Sequence, residues 1–458
     1  MKLETQNQGQ AQQKTGQAAL IAVMLMLTIM LSAIFGASAV ALKEAKVAEE
    51  NKKSKLSFFA AEAGLEDAVY RIKNGKNIGS SVTMVLNNAT IVTTINNIGL
   101  SDKEIISSGD SSGAVRAIKA IISNGEGVAF HYGVQVGDGG LFLENTSKVI
   151  GSVYSNGNID GKNSSEITGD AFAAGTSRIK GINNLLVIGG NARAHTIEES
   201  GIAGVASSTT EIEDSTVSKN AYADTITDST IGQDAYYLTS ISGSTVGGFS
   251  FPGTTPPADL PKLSFPISDA QISQWEASAQ AGGIHTSPCP YAIKKEDGAI
   301  SLGPKKINCN LTLSDDAIVI VNGPIWIAGN LSMKNRAQLK LNASYGALSA
   351  VIIADNPSNR TTSSKITVEN SSKVLGSGAA GSYLALISQN NSAELGGGEF
   401  AIHPKNSADA SIYYAPHGRI NIENSVALKE ASAYKIHIKN TSTVTYETGL
   451  ANIQFSSG

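Results

Sequence analysis

The chain has 458 residues, a formal net charge of −4 and only 16% charged side chains. This length exceeds one small core and points to two or three domains, and the near-neutral balance offers neither a basic excess for nucleic acid nor an acidic tail. Glycine is abundant at 46 residues, aromatics are 6%, and Ser, Thr and Asn are frequent, a turn-rich β composition rather than that of a helical enzyme.

Residues 1–16 are polar and Gln-rich, with Lys2 and Lys14. Ala18 to Leu42 then runs for 25 residues without a charge, Pro or Asn. At a helical rise of about 1.5 Å per residue it spans roughly 37 Å, enough to cross a bilayer with some tilt. A cleaved secretory signal has a shorter apolar core followed by a small-residue site. Here the run instead continues into KEAKVAEENKKSKLSFFAAEAGLEDAVYRIK, where Leu56, Phe59, Ala60, Ala63, Leu65, Val69 and Ile72 recur near the helical period. Asn74-Gly75 is a stop signal. One rod of about 84 Å is expected over residues 18–73. Lysines flank the apolar run on both sides, so charge does not set its orientation.

The polar leader ending at Gly16, the apolar run after it and SFFAAEAGLEDA (57–68) together resemble the N-terminal region of PilX-like minor pilins of type IV pilus systems, over about residues 14–73. The resemblance implies that a prepilin peptidase cuts between Gly16 and Gln17. It also implies a single-pass membrane helix that later joins other pilin subunits through the pilus assembly machinery, with the body extracellular or displayed on the filament. Many pilins carry Glu at the fifth mature position, where it offsets a neighbour's N-terminal amine. Here that position is Ile21, which points to a minor or tip subunit. A plain signal-anchor on an exported β protein is the other use of such a helix.

Residues 75–125 hold four short runs, SVTMVL, ATIVTTIN, KEIISSG and AVRAIKAIIS, separated by turn clusters. They read as a small antiparallel meander packed on the second half of the helix. From residue 126 to 248 short steps recur: Gly151-Ser-Val153, Gly169-Asp-Ala171, Gly190-Asn-Ala192, Lys219-Asn-Ala221 and Gln233-Asp-Ala235, at spacings of 18, 21, 29 and 14. A second unit, apolar-x-apolar followed by a polar residue and Asn, appears as LFLENTSKV, LSMKNRAQL, ITVENSSKV, INIENSVAL and IHIKNTSTV. Such repetition marks a β-solenoid, with Asn145, Asn335, Asn370, Asn424 and Asn440 as left-handed corner residues stacked in a ladder. Residues 249–286 form a Pro-rich connector and a short helix over 267–281, with Ser268 or Asp269 as N-cap and Gly282-Gly283 as stop. Residues 287–458 form a second solenoid part, in which 317–329, 347–355 and 382–388 read as strands buried on both faces.

Cys289 and Cys309 make a poor zinc site. In an exported protein they fit a disulfide worth about 3 kcal/mol in the chain-entropy view, with two buried thiols as the alternative. The six histidines are scattered, and His195 beside Glu198 and Glu199 is the only His–acid cluster. GSGAAG (376–381) precedes a strand-like run, so it reads as a turn rather than a nucleotide loop. No catalytic, metal or cofactor residue is expected. The expected architecture is thus a long N-terminal helix followed by a mainly β body, a meander and then a solenoid. The expected role is non-enzymatic filament assembly or surface adhesion, with the membrane and surface glycans as further partners and no nucleic acid. An adhesin with an uncleaved anchor and a glycan-active β-helix enzyme are the alternatives.

Overall fold

The computed structural model describes residues 9–73, 76, 78–98, 102–123, 125–182 and 186–456. The expected stop at Asn74-Gly75 lies outside the described residues. Two units result: Met1–Ile98 with Asp102–Ile122, and Gly99–Ser101 with Ser123–Gly458.

In the first unit, α1 runs unbroken over Gly9–Lys73, 65 residues. It starts earlier than the apolar run because the Gln-rich leader contains no Pro to stop it. Four strands, β1 (Ser81–Leu86), β2 (Ala89–Ile98), β3 (Asp102–Ser111) and β4 (Ala114–Ser123), form the antiparallel meander. Asn87-Asn88 and Ser112-Gly113 supply the left-handed pairs that two-residue hairpins need. The buried face of α1 carries the small residues Ser57, Ala60, Ala61 and Ala68, of which Ala60 packs with Ile91 of β2 and Ala68 with Ile95 of β2 and Ile105 of β3. The approach is close enough that a side chain at Gly109 would overlap the helix backbone at Ser57 and Ala61. The Ser57 hydroxyl donates to the Ala114 carbonyl and accepts from the Ser111 amide, fixing the helix on the sheet.

The second unit is a right-through stack of parallel strands. Coils repeat every 20 residues between about 290 and 342, as Asn330 on Asn310 and Asn342 on Asn322. They repeat every 14 or 15 residues at the far end, as Val205 on Asn191 and Phe249 on Asp234. The interior tapers accordingly. One buried column reads Ile325, Ile352, Leu386, Tyr413, then Ala431, Val134, Val153, and finally Ala171, Ala192, Ala206, Ala221 and Ala235. Smaller coils enclose less space, and alanine fills it without a void.

The two solenoid parts form one stack, joined out of sequence order. The last long strand, Ala427–Lys439, pairs in parallel with the first, Val134–Glu144, as Ala431↔Val134, Ile436↔Leu141 and Lys439↔Glu144. Strands Gly125–Val128 and Ile453–Ser456 pair antiparallel beside this seam. The Pro-rich connector makes the reversal possible by running back over the coils it has just left. Thr254 N donates to Tyr237 O, Thr209 to Pro257 O, Arg193 to Ala258 O, Gly175 N to Leu260 O, Tyr154 to Pro261 O and Gln135 to Ser264 O. Prolines suit such a strap because it needs few amide donors of its own.

Helix α2 spans Asp269–Ala281, with Ser268 as N-cap in a capping box with Gln271 and Gly282 after it. It covers the side of the solenoid with Ile272 and Trp275, against Val351, Ile353, Ala385, Ile387 and Phe455. This cover explains why Ala350–Ala354 and Leu384–Ser388 are buried on both faces, as expected. The expectation fails for Ile318–Val321, which alternates, its outward-facing Ile318 exposed and its inward-facing Val319 and Val321 buried.

Candidate functional site

The apolar half of α1 is the first candidate. Leu20, Met24, Leu27, Leu31, Ile34, Phe35 and Leu42 are 55% to 73% exposed. A helix this long and apolar can cross a membrane by length and composition. Two of its hydroxyls bond back to the helix, that of Thr28 donating to Leu25 O at 2.8 Å and that of Ser32 to Thr28 O at 2.7 Å. These two hydroxyls therefore cost little in lipid. Ile21 is 60% exposed in this row, and Gly16 and Gln17 lie in the helical backbone just before it.

The corners of the solenoid form the second structural device. Asn335 donates to Asp315, Asn370 to Asn335, Asn406 to Asn370, Asn424 to Asn406, Asn440 to Asn424, Asn145 to Asn440 and Asn163 to Asn145, all at 2.7–3.0 Å. Every member has positive φ, between 53° and 63°. The donors all point one way, and the acceptor end is Asp315, a carboxylate with no proton to donate. The Asn335 hydrogen bond and that of Ser314 hold its carboxyl below the usual range. Asn163, Asn406 and Asp315 escape the sequence motif because Gly161, Pro404 and the Asp itself break its pattern. A charge row runs beside the ladder: Glu369, Lys405, Glu423, Lys439, Glu144 and Lys162 alternate in sign from coil to coil. Lys405–Glu369, Lys439–Glu423 and Lys162–Glu144 close to 3.1, 2.8 and 2.8 Å. Both rows cross the seam without interruption.

Chemistry-bearing side chains sit elsewhere. His195 faces Asp259 of the strap at 3.0 Å, whereas Glu198 and Glu199 hold Lys180. Beneath α2, Arg360 clamps Asp355 with two bonds of 2.8 and 2.7 Å. Burial, then the charge and hydrogen bond of Asp355, push Glu276 up to about 8. Glu430 is fully buried under the Ser432 hydroxyl, and burial holds its carboxyl well above the usual range. Asp355 and Glu430 have no solvent access, so a substrate cannot exchange protons with them. Gly376 to Gly381 form a turn before Leu384–Ser388, with left-handed Gly378 and Gly381. Cys289 and Cys309 are joined in a disulfide between neighbouring coils, with Cα atoms 5.9 Å apart. Among the described residues no group of His, Cys, Asp and Glu is arranged to hold a metal ion.

A polar cleft of 480 Å³ opens at the seam, a feature the sequence motifs do not announce. Its walls come from stretches remote in sequence: Asp138 to Phe142, Asn156 to Asn158 with Asp160, Thr176 and Ser177, the strap at Lys262, and Arg419, Lys435 and His437. It follows the corner where pairing registers slip in successive coils, between Ala415 and Arg419 and between Ala433 and Lys435. The left-handed Gly140 turns the chain there, and a side chain at Gly139 or Gly140 would overlap Tyr434, Lys435 or the Asn158 backbone, so glycine lets the neighbouring coils approach at this corner.

No protein-family model matches the chain, and no curated protein matches it. Among solved structures, the crystal structure of the competence-associated pilin ComZ from Thermus thermophilus aligns over 86% of this chain and 92% of its own, at 9% identity and a TM-score of 0.24. An overlap that slight carries no argument about family or function, and the functional reading below rests on this chain's own residues.

Proposed function

We propose that the chain is a minor-pilin-like subunit whose helix waits in the membrane and then enters a filament, carrying the solenoid as displayed cargo. The observation that supports this most is the division of α1. Its second half is fixed on the meander through small buried residues, while its first half presents apolar side chains all round. Such a surface is stable in lipid or against like helices, and not in water. In this proposal a prepilin peptidase removes the leader after Gly16, Gln17 becomes the N-terminus, and the chain has no turnover of its own. Its partners are other pilin subunits and the assembly machinery.

Deleting residues 17–42 tests the proposal. The body should become soluble and filaments should be lost; unchanged filaments with retained membrane association would defeat it. The second reading, an adhesin with an uncleaved anchor, is supported by the helix continuing through the leader from Gly9. N-terminal sequencing of the membrane-extracted protein separates the two, since cleavage leaves Gln17 and an uncleaved anchor leaves Met1.

A further inference from the structure

The seam cleft has an unbalanced charge. Asp138 is matched by Lys262 at 2.7 Å and Asp160 by Arg178 at 3.2 Å. Arg419 and Lys435 make no ion pair with any carboxylate among the described residues. Lys435 is exposed. The Arg419 guanidinium lies over the Phe400 ring at 4.2 Å and donates to the Gly398 carbonyl, while its Nε is buried without an acceptor. Glu399, the acid whose charge reaches Arg419, is itself paired with Lys365 at 3.0 Å. Two cations without an ion-pair partner at one concave place, on a chain of net charge −4, favour an anion there.

The remaining lining says what kind of anion. Asn158 and Thr176 add amide and hydroxyl groups along the same hollow. The Phe142 ring is occupied, with His437 at 4.9 Å and Lys162 at 5.1 Å, so no aromatic face is offered for base stacking. A volume of 480 Å³ exceeds what a bare inorganic anion fills and suits two or three sugar units. Nucleic acid would need an extended basic track and stacking platforms. The rows beside the cleft alternate in sign instead.

We infer that the seam cleft binds an acidic oligosaccharide, with Arg419 and Lys435 meeting a sugar carboxylate and the amide and hydroxyl groups meeting its ring hydroxyls. Guanidinium and ammonium donors form the stronger, charge-assisted bonds to a carboxylate, and the neutral groups add orientation. The walls come from both ends of the solenoid sequence, so the site exists only when the seam is closed. The inference does not depend on filament assembly.

Calorimetric titration of the full chain in detergent micelles tests it, with α-linked trigalacturonic acid, neutral galactotriose and a dT20 oligonucleotide as probes. Trigalacturonic acid should bind at least tenfold more tightly than galactotriose, and dT20 should not bind. Lys435→Gln, at an exposed position, should weaken the acidic trimer about tenfold, and Arg419→Gln should do at least as much. Arg419→Lys, which keeps the charge, should recover part of that loss. No binding of the acidic trimer at millimolar concentration would overturn the inference. So would equal affinity for the neutral trimer, an unchanged affinity in Lys435→Gln, or dT20 binding lost in the same variants.

Discussion

Each asparagine of the corner ladder has two tasks. Its backbone adopts a left-handed conformation that costs most residues about 1–2 kcal/mol, and its side chain bonds its neighbours along the ladder. Two substitutions at Asn370, which donates to Asn335 and accepts from Asn406, separate these tasks. Asn370→Gly keeps the conformation and loses the bonds, for a cost of roughly 1–2 kcal/mol, whereas Asn370→Ala loses both, for roughly 2–3 kcal/mol. Urea unfolding should rank wild type above the Gly variant and the Gly variant above Ala; equal costs would mean that the corner conformation contributes nothing. The charge row gives a pH prediction. Burial alone would raise Glu423, but the hydrogen bonds and charges of Lys439 and His403 outweigh it and hold the carboxyl at about 2. A depressed carboxyl stabilises the fold above its unfolded value near 4.3 and loses that contribution as pH falls towards 2. Glu423→Gln should therefore be less stable than wild type at pH 7, and the gap should close between pH 4.5 and 2. The five ladder asparagines were legible in sequence because strand, corner and strand repeat locally. Asn163 and Asn406 were not, because Gly161 and Pro404 hide the apolar alternation while leaving the corner itself unchanged.

Among the elements, α2 shows how a helix can be held by a titrating side chain. Glu276 lies between it and the solenoid, with Asp355 and Arg360 opposite and Lys306 nearby. A carboxyl raised to about 8 favours the folded state when protonated, so its contribution is complete below the unfolded value and declines as pH rises from about 4.5 to 8. Glu276→Gln removes the ionisation and keeps the shape. The variant should match wild type at pH 4.5 and exceed it by at least about 1 kcal/mol at pH 8, measured by urea unfolding at both values. The helix itself was legible from its Ser268 cap and Gly282-Gly283 stop. The double burial of Ala350–Ala354 was likewise visible as an apolar run. Ile318–Val321 has the same composition, and only the position of α2 distinguishes the two, a tertiary fact absent from either stretch. The gap of 29 between Ala192 and Ala221 is explained similarly. It holds one more coil, at Ala206, whose corner carries Val205 in place of Asn or Asp.

For the whole molecule, the seam is where stability and the candidate binding cleft coincide. Glu144 lies between Lys439 and Lys162 in the charge row. Glu144→Lys would place three cations in succession, and like charges directly opposite on paired strands destabilise by roughly 1 kcal/mol each. Hydrogen exchange should then quicken in Val134–Glu144 and Ala427–Lys439 while the distal coils around Ala206 keep their protection. Uniform loosening of all coils would contradict a seam that opens by itself. The repeated strand-and-corner units give the solenoid class, but the return of the strap was not legible: no local pattern in 249–266 says which coils it will lie across. That return has a consequence in time. Asn145 bonds Asn440 across 295 positions of sequence. At a synthesis rate of about 5–20 residues per second, the first strand waits roughly 15–60 s for its neighbour to be made. Through that interval the distal coils can stack on one another while the edge of Val134–Glu144 stays bare, open to a chaperone, or to the same edge on a second newborn chain.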